Sequence, residues 1–378
     1  MPLSRFVTVW SVLQARVDAG RVPGWVAAVR YRGETEVRAG GCLALGGRPA
    51  GPDALFRISS LSKPVAGVLT LQLAEDGVLD LDDPVEHWLP EFSDLRVLAR
   101  PGAPLTDTVP AERPITVRHL LTSTPGLGGL WDDSPLDRAL HAAGLGPGPM
   151  SPDLPPEEYL ARWAQLPLAA QPGDRWLYHS SADVLSVLLT RATGRPLHDL
   201  LAQRVTGPLG LTDTGFTAVD GARLTAAYLP EDGELVLLDP VDGRAAAPPR
   251  FEGLAAGLIA TAPDVLRLLT ALADGGGPLL ETRSVQAMTR DALTAAQRAA
   301  ARDFLPAGLS WGLQVGIDTG GGPEPFHAPG RWGWDGGTGT TGWVDPARDL
   351  VAVLLTTRGY GGPGDGVDWF WRALYRCL

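Results

Sequence analysis

The sequence predicts an α+β protein in which one sheet is built from both ends of the chain and a mainly helical segment is inserted between them. Three observations carry that prediction. Strand-like runs occupy residues 25–39, short helical patterns between Pro- and Gly-rich loops fill the middle, and strand-like runs return from residue 309. With 378 residues the chain is long for one core of usual size. The expected division is a sheet domain from residues 1–78 and 250–378 together, with residues 79–249 as the helical subdomain.

Phe6, Trp10, Leu13 and Val17 recur at helical spacing, so the first element reads as an amphipathic helix. Thr8, Ser11 and Gln14 interrupt it and no small-residue cleavage site follows, which argues against a secretory signal. Trp25 to Tyr31 and Glu34 to Ala39 flank Arg32-Gly33 as a hairpin. Phe56-Arg57-Ile58 is a short extended lead into a helix from Ser60 to Asp76, with Pro64 in its first turn and Gly77 at its stop. Helices are then expected at Ile115 to Leu121, Pro156 to Gln165, Ser181 to Thr193 and Leu197 to Val205. Asp83-Pro84, Pro101-Gly102 and Pro147-Gly148-Pro149 are the breakers among them. Pro263 to Ala273 is another apolar helix, stopped by Gly275-Gly276-Gly277. Leu309 to Ile317, Gly339 to Val344 and Leu350 to Thr356 read as strands, and Val367 to Cys377 as a closing helix.

Composition excludes several function classes. The net charge is -11 and no Lys/Arg cluster occurs, so a nucleic-acid partner is not expected. No run approaches the ~18 apolar residues that span a bilayer, so no membrane association is expected and the protein reads as cytoplasmic. Cys42 and Cys377 lie far apart and read as buried or inert thiols. The six histidines show no paired metal spacing, so neither a metal nor a cofactor is expected. His179, between Tyr178 and Ser180, is a candidate to line the cleft but reads rather as a partly exposed loop residue.

One count points to chemistry. The chain has 31 arginines and a single lysine, Lys63. Arginine keeps its proton in proteins, whereas lysine loses it when buried or crowded by charge. A lone lysine amid so many arginines marks a position where a neutral amine is needed.

Ser60-Leu61-Ser62-Lys63 opens a helix, and residues three apart share a helix face, so the hydroxyl and the amine come within reach. A serine hydroxyl is a poor nucleophile without an adjacent base, which a neutral lysine supplies. The segment Phe56 to Gly67, FRISSLSKPVAG, resembles the nucleophile motif of the class C β-lactamase, penicillin-binding-protein and family VIII esterase group. Pro172 to Ser180 is similar to that group's Tyr-x-Asn or Tyr-x-Ser motif, and Gly333 to Thr340 to its third motif in the Trp-containing variant. Leu79 to Val85, Pro114 to Leu121 and Pro208 to Phe216 extend the resemblance over nearly the whole chain, in order.

The resemblance implies an antiparallel sheet flanked by helices in a β-lactamase/transpeptidase-like fold, with the site in the cleft against the helical subdomain. It implies Ser60 as nucleophile, with Lys63 and Tyr178 as a proton relay in which a nearby cation lowers the phenol pKa. It further implies an oxyanion hole from the Ser60 and Gly337 amides, and substrate contacts at Ser180, Trp334, Asp335 and Gly336. Trp131 and Trp334 are candidates to wall an acyl pocket, although aromatics more often pack.

The leading function is hydrolysis of small carboxylic esters by acyl transfer to Ser60, the expected partner being a small-molecule ester or amide. A β-lactamase, a D-amino-acid peptidase and a transesterase share all three motifs. A silent acyl-binding homologue would be free to lose them. Related β-lactamases place a cation where Trp334 stands, and Arg331 is the nearest sequence neighbour that could replace it. A competing motif, Gly308-Leu309-Ser310-Trp311-Gly312, matches the nucleophile elbow of α/β-hydrolases. The residues after it alternate like a strand rather than opening a helix, so Ser310 is expected to be a strand residue.

Overall fold

Arg32 and Gly33 both adopt positive φ, 50° and 81°, the geometry of a two-residue turn whose twist matches the strands it joins. Those strands are β1 (Gly24–Tyr31) and β2 (Glu34–Gly41). A computed structural model describes residues 4–362 and 364–378. The remaining strands of the main sheet are β3 (Leu309–Trp311), β4 (Gly316–Asp318), β5 (Trp332–Gly336), β6 (Thr340–Asp345) and β7 (Leu350–Thr356). Their order is β2-β1-β7-β6-β5-β4-β3, with every neighbouring pair antiparallel. Strands β1 and β7 bring the two ends of the chain together, in register from Trp25 opposite Thr356 to Tyr31 opposite Leu350.

Five helices matter for the site: α1 (Val7–Asp18), α2 (Lys63–Glu75), α3 (Ser181–Thr193), α4 (Ala262–Ala273) and α5 (Asp368–Tyr375). Successive residues on a strand point to opposite faces, and β6 shows which helix covers which. Thr341 Oγ1 accepts the Trp371 indole N–H of α5 at 3.1 Å. At the next residue, Gly342, an added Cβ would lie 2.9 Å from Leu269 Cδ1 of α4. The sheet is therefore covered on both faces, which is why β7 is buried at every residue and reads as an unbroken apolar run.

Departures from the sequence reading have local causes. Leu309 to Ile317 is not one strand but the hairpin of β3 and β4. The turn places Gln314 at φ 66°, and its side-chain amide donates to Leu120 O at 2.8 Å, fixing the bend from outside the segment. The helix expected from Ser60 starts with a tighter 3-10 turn, Ser59–Ser62, before α2. The Leu197 helix passes into a wider π-helical turn at Ala202–Thr206. A hairpin of Ala227–Glu231 and Glu234–Asp239 lies in a stretch that read as loop. Among the described residues no helix is long and apolar enough to cross a membrane.

The tight contact at Gly342 gives a stability test. Gly342→Val should cost about 1–3 kcal/mol through overpacking against α4. Combining it with Leu269→Ala should cost less than the two single changes summed, by at least about 0.5 kcal/mol. Urea unfolding of the four proteins measures this, and strict additivity would place the contact elsewhere.

Candidate active site

The turn Ser59–Ser62 is held from below by the Ser62 hydroxyl. Ser62 Oγ donates to Ser59 O at 2.7 Å and accepts the Leu258 amide at 3.0 Å. Ser59 sits at φ 48°, an uncommon conformation for a residue with a side chain, directly ahead of Ser60. The turn between β5 and β6 presses on it from the side. Thr338 Oγ1 donates to Arg57 O at 2.6 Å and Thr340 Oγ1 to Ile58 O at 2.9 Å. A side chain at Gly336 would come within 2.4 Å of Ile58 O, so glycine is what lets the two turns meet.

This packing brings Ser60, Lys63 and Tyr178 together. Lys63 Nζ donates to Ser60 Oγ at 3.0 Å and to Ala255 O at 2.6 Å, and lies 4.6 Å from the centre of the Tyr178 ring. Ser60 is 5% exposed, Lys63 1% and Tyr178 7%. Burial is the main influence on Lys63 and pushes its pKa down to about 7, while the Asp183 carboxylate pulls it up. The Tyr178 hydroxyl behaves opposite to the sequence expectation. Burial pushes its pKa above the ordinary phenol range, outweighing its hydrogen bonds with Ser60 and Trp334. Lys63 Nζ lies over the ring face, and burial decides the direction.

Asp183 and Ala255 were not singled out in the sequence. Asp183, in the first turn of α3, accepts the Ala255 amide at 3.1 Å, while the Ala255 carbonyl accepts from Lys63. The backbone of one residue, Ala255, thus links the two ionisable residues through its two flanking peptide groups. Burial raises the Asp183 pKa, and the Ala255 amide and Lys63 oppose that rise. The available signal was an acid inside an otherwise apolar helical run five residues after Tyr178. Ala255 carried no signal, since it contributes only backbone 192 residues away from Lys63.

The other predicted positions divide. Trp334 lines the site, its indole N–H donating to Tyr178 Oη. Gly337 follows Gly336 in the turn, and among the described residues nothing accepts its amide or that of Ser60. Gly336 is occupied with packing against Ile58 and Ser59. Ser180 is fully buried, and its hydroxyl has no hydrogen-bond partner among the described residues. Asp335 is a correction. It pairs with Thr341 on the face toward α5, and its Oδ1 accepts from Thr341 Oγ1 and, at 2.9 Å, from Trp343 Nε1. Strand alternation turns it away from Trp334 and hence from the cleft. Arg331 lies on that same far side, its guanidinium 4.3 Å from the Trp343 ring centre and 4.5 Å from that of Trp371. It cannot replace a cation at Trp334.

His179 is buried rather than partly exposed, at φ 85°. Burial, with Lys63 nearby, holds its pKa well below the ordinary histidine range. Ser310 is buried on β3, its hydroxyl donating to Asp291 Oδ1. Above Tyr178 stands an aromatic wall. Phe304 stacks on the Tyr178 ring at 4.4 Å and Trp131 on Phe304 at 5.1 Å. Trp131 is 57% exposed and Phe304 38%, so the wall reaches solvent. Among the described residues no His/Cys/Asp/Glu group could hold a metal ion.

An antiparallel sheet covered by helices on both faces, with a serine and a buried lysine packed on the turn between two of its inner strands, defines a serine hydrolase of the β-lactamase/transpeptidase fold. The chain belongs to the Beta-lactamase family, whose match runs over residues 10–376. It is 35% identical over 380 residues to Esterase EstB of Burkholderia gladioli, covering 93% of this chain and 92% of that one. It is 36% identical over 324 residues to an uncharacterized protein of Mycobacterium tuberculosis, covering 82% of this chain and 79% of the other. Among solved structures it superposes on EstCE1, "a hydrolase with promiscuous acyltransferase activity", with a TM-score of 0.83 and 26% identity, covering 99% of this chain and 98% of that one.

The Lys63–Asp183 pair predicts a pH effect with a definite sign. The carboxylate raises the Lys63 pKa, so Asp183→Asn should lower it further and leave more neutral amine at acid pH. The acid limb of kcat/KM for an aryl ester should shift down by about one pH unit. A limb that stays in place or moves up would remove Asp183 from the control of Lys63.

Proposed function

We propose that this serine hydrolase is a carboxylesterase that is acylated at Ser60. The observation that carries the reading is the 3.0 Å contact between Ser60 Oγ and a buried Lys63 amine whose pKa is pushed down. Ser60 Oγ attacks the ester carbonyl as its proton passes to Lys63 Nζ. The carbonyl oxygen, now negative, sits between the Ser60 and Gly337 amides, and donors fixed in advance are the largest expected term. Tyr178, whose phenol holds its proton firmly, hands that proton to the departing alkoxide and is reprotonated from Lys63. Water then attacks the acyl-enzyme with the same groups acting in reverse.

Ester preference is supported by what lines the cleft. Trp334 stands where related β-lactamases place a cation, and Arg331 is turned to the other face of the sheet. A charge-assisted bond to a β-lactam carboxylate is worth roughly 1.5–3 kcal/mol, or about 10- to 150-fold. The wall of Trp131, Phe304 and Trp334 offers apolar surface to an acyl or aryl group instead. The similarity to Esterase EstB supports the same choice. Acyl transfer to an alcohol is the second reading. Ser60 is almost fully shielded from water, and EstCE1 is a hydrolase with acyltransferase activity.

Ser60→Ala should abolish both p-nitrophenyl butyrate hydrolysis and labelling by a fluorophosphonate, while Ser310→Ala should still be labelled. The wild type should cut that ester with a kcat/KM at least about 10-fold above that for benzylpenicillin. Equal efficiency on the two substrates would replace the esterase reading with a β-lactamase.

A further inference from the structure

A cavity of about 560 Å³ opens between the C-terminal end of α1, the hairpin of residues 227–239 and residues 356–360 and 364–369. The charged side chains lining it are Arg16, Arg21, Arg358 and Asp365. Asp365 is already engaged. Its two oxygens accept from the Arg358 guanidinium at 3.1 and 2.8 Å, and Oδ2 also accepts the Gly361 amide at 2.7 Å. Neither Arg16 nor Arg21 forms a salt bridge among the described residues, although the chain as a whole carries a net charge of -11. Arg16 is held toward the hollow by stacking on Trp369, 4.6 Å from its ring centre. Burial, then Arg21 and Arg358, pull the Arg16 pKa down, while Asp365 opposes them.

A guanidinium presents a rigid fork of donors that matches a carboxylate or phosphate bidentately. The cavity exceeds what a bare ion fills and lies in the range of about 300–1,000 Å³ that holds small organic ligands. We propose that this cavity binds a small organic oxyanion, with the Arg16 and Arg21 forks on its carboxylate or phosphate group and Arg358 behind them. The site is separate from Ser60, though Tyr360, which lines it, donates its amide to Gly337 O at 3.1 Å.

Isothermal calorimetry on the Ser60→Ala protein, at constant ionic strength, tests the proposal with citrate and phenyl phosphate as probes. At least one should bind saturably at about 1 mM or tighter, and the tighter of the two identifies the favoured oxyanion. Arg21→Gln and the Arg16→Gln/Arg21→Gln pair should each weaken that binding about 10-fold or more. Arg21 is exposed, so its single variant should fold even if the pair does not. Failure of both probes to saturate, or binding unchanged in Arg21→Gln and the pair, would overturn the proposal. Because the site needs neither Ser60 nor an ester, this result is independent of the esterase reading.

Discussion

An ammonium ion taken out of water costs several kcal/mol unless it gains a counter-charge or gives up its proton. Lys63 is placed between those outcomes. It is enclosed, and its firmest contacts are the neutral carbonyl of Ala255 and the Ser60 hydroxyl. The acid that acts on it, Asp183, does so without a direct hydrogen bond while bonded to the Ala255 amide. A direct ion pair would hold the proton on the amine. An apolar wall alone would strip it and leave no charge to draw it back. The Ala255 backbone between the two residues sets an intermediate condition, suited to an amine that gains and loses a proton during turnover.

Holding that condition takes contributions from distant parts of the chain. The loop carrying Ala255 is fixed through Asp183, through Ser186 Oγ accepting the Leu254 amide at 2.9 Å, and through Ser62. The turn that presents Gly337 reaches the Ser60 turn because Gly336 lacks a side chain, while Gly342 lets α4 approach the same sheet face. On the opposite face, Asp335, Thr341, Trp343, Trp371 and Arg331 form a buried polar and aromatic layer. That layer steadies the strand whose other face carries Trp334.

Local signals made part of this legible. The spacing of Ser60 and Lys63 is a helix-face relation, and it was readable because no other lysine occurs. The Arg32-Gly33 hairpin declared itself through its turn residues. What escaped depends on contacts between distant residues. Asp183 looks unremarkable until Ala255 is folded against it. The turn at Gln314 is held by carbonyls of another segment, so its sequence reads as continuous strand. Asp335 was misplaced because adjacency to Trp334 in sequence means opposition across a strand. The direction of the Tyr178 shift depends on burial, which no motif reports.

The neutral amine is the central claim, and the single lysine makes it directly measurable. Protein grown with ¹³Cε-labelled lysine gives one side-chain resonance, and its chemical shift followed with pH reports the Lys63 pKa. The structure predicts titration near pH 7, well below the ~10.4 of a free lysine. A resonance that titrates at ~10 or above would mean that Lys63 stays charged at neutral pH, and would contradict its role as the base for Ser60.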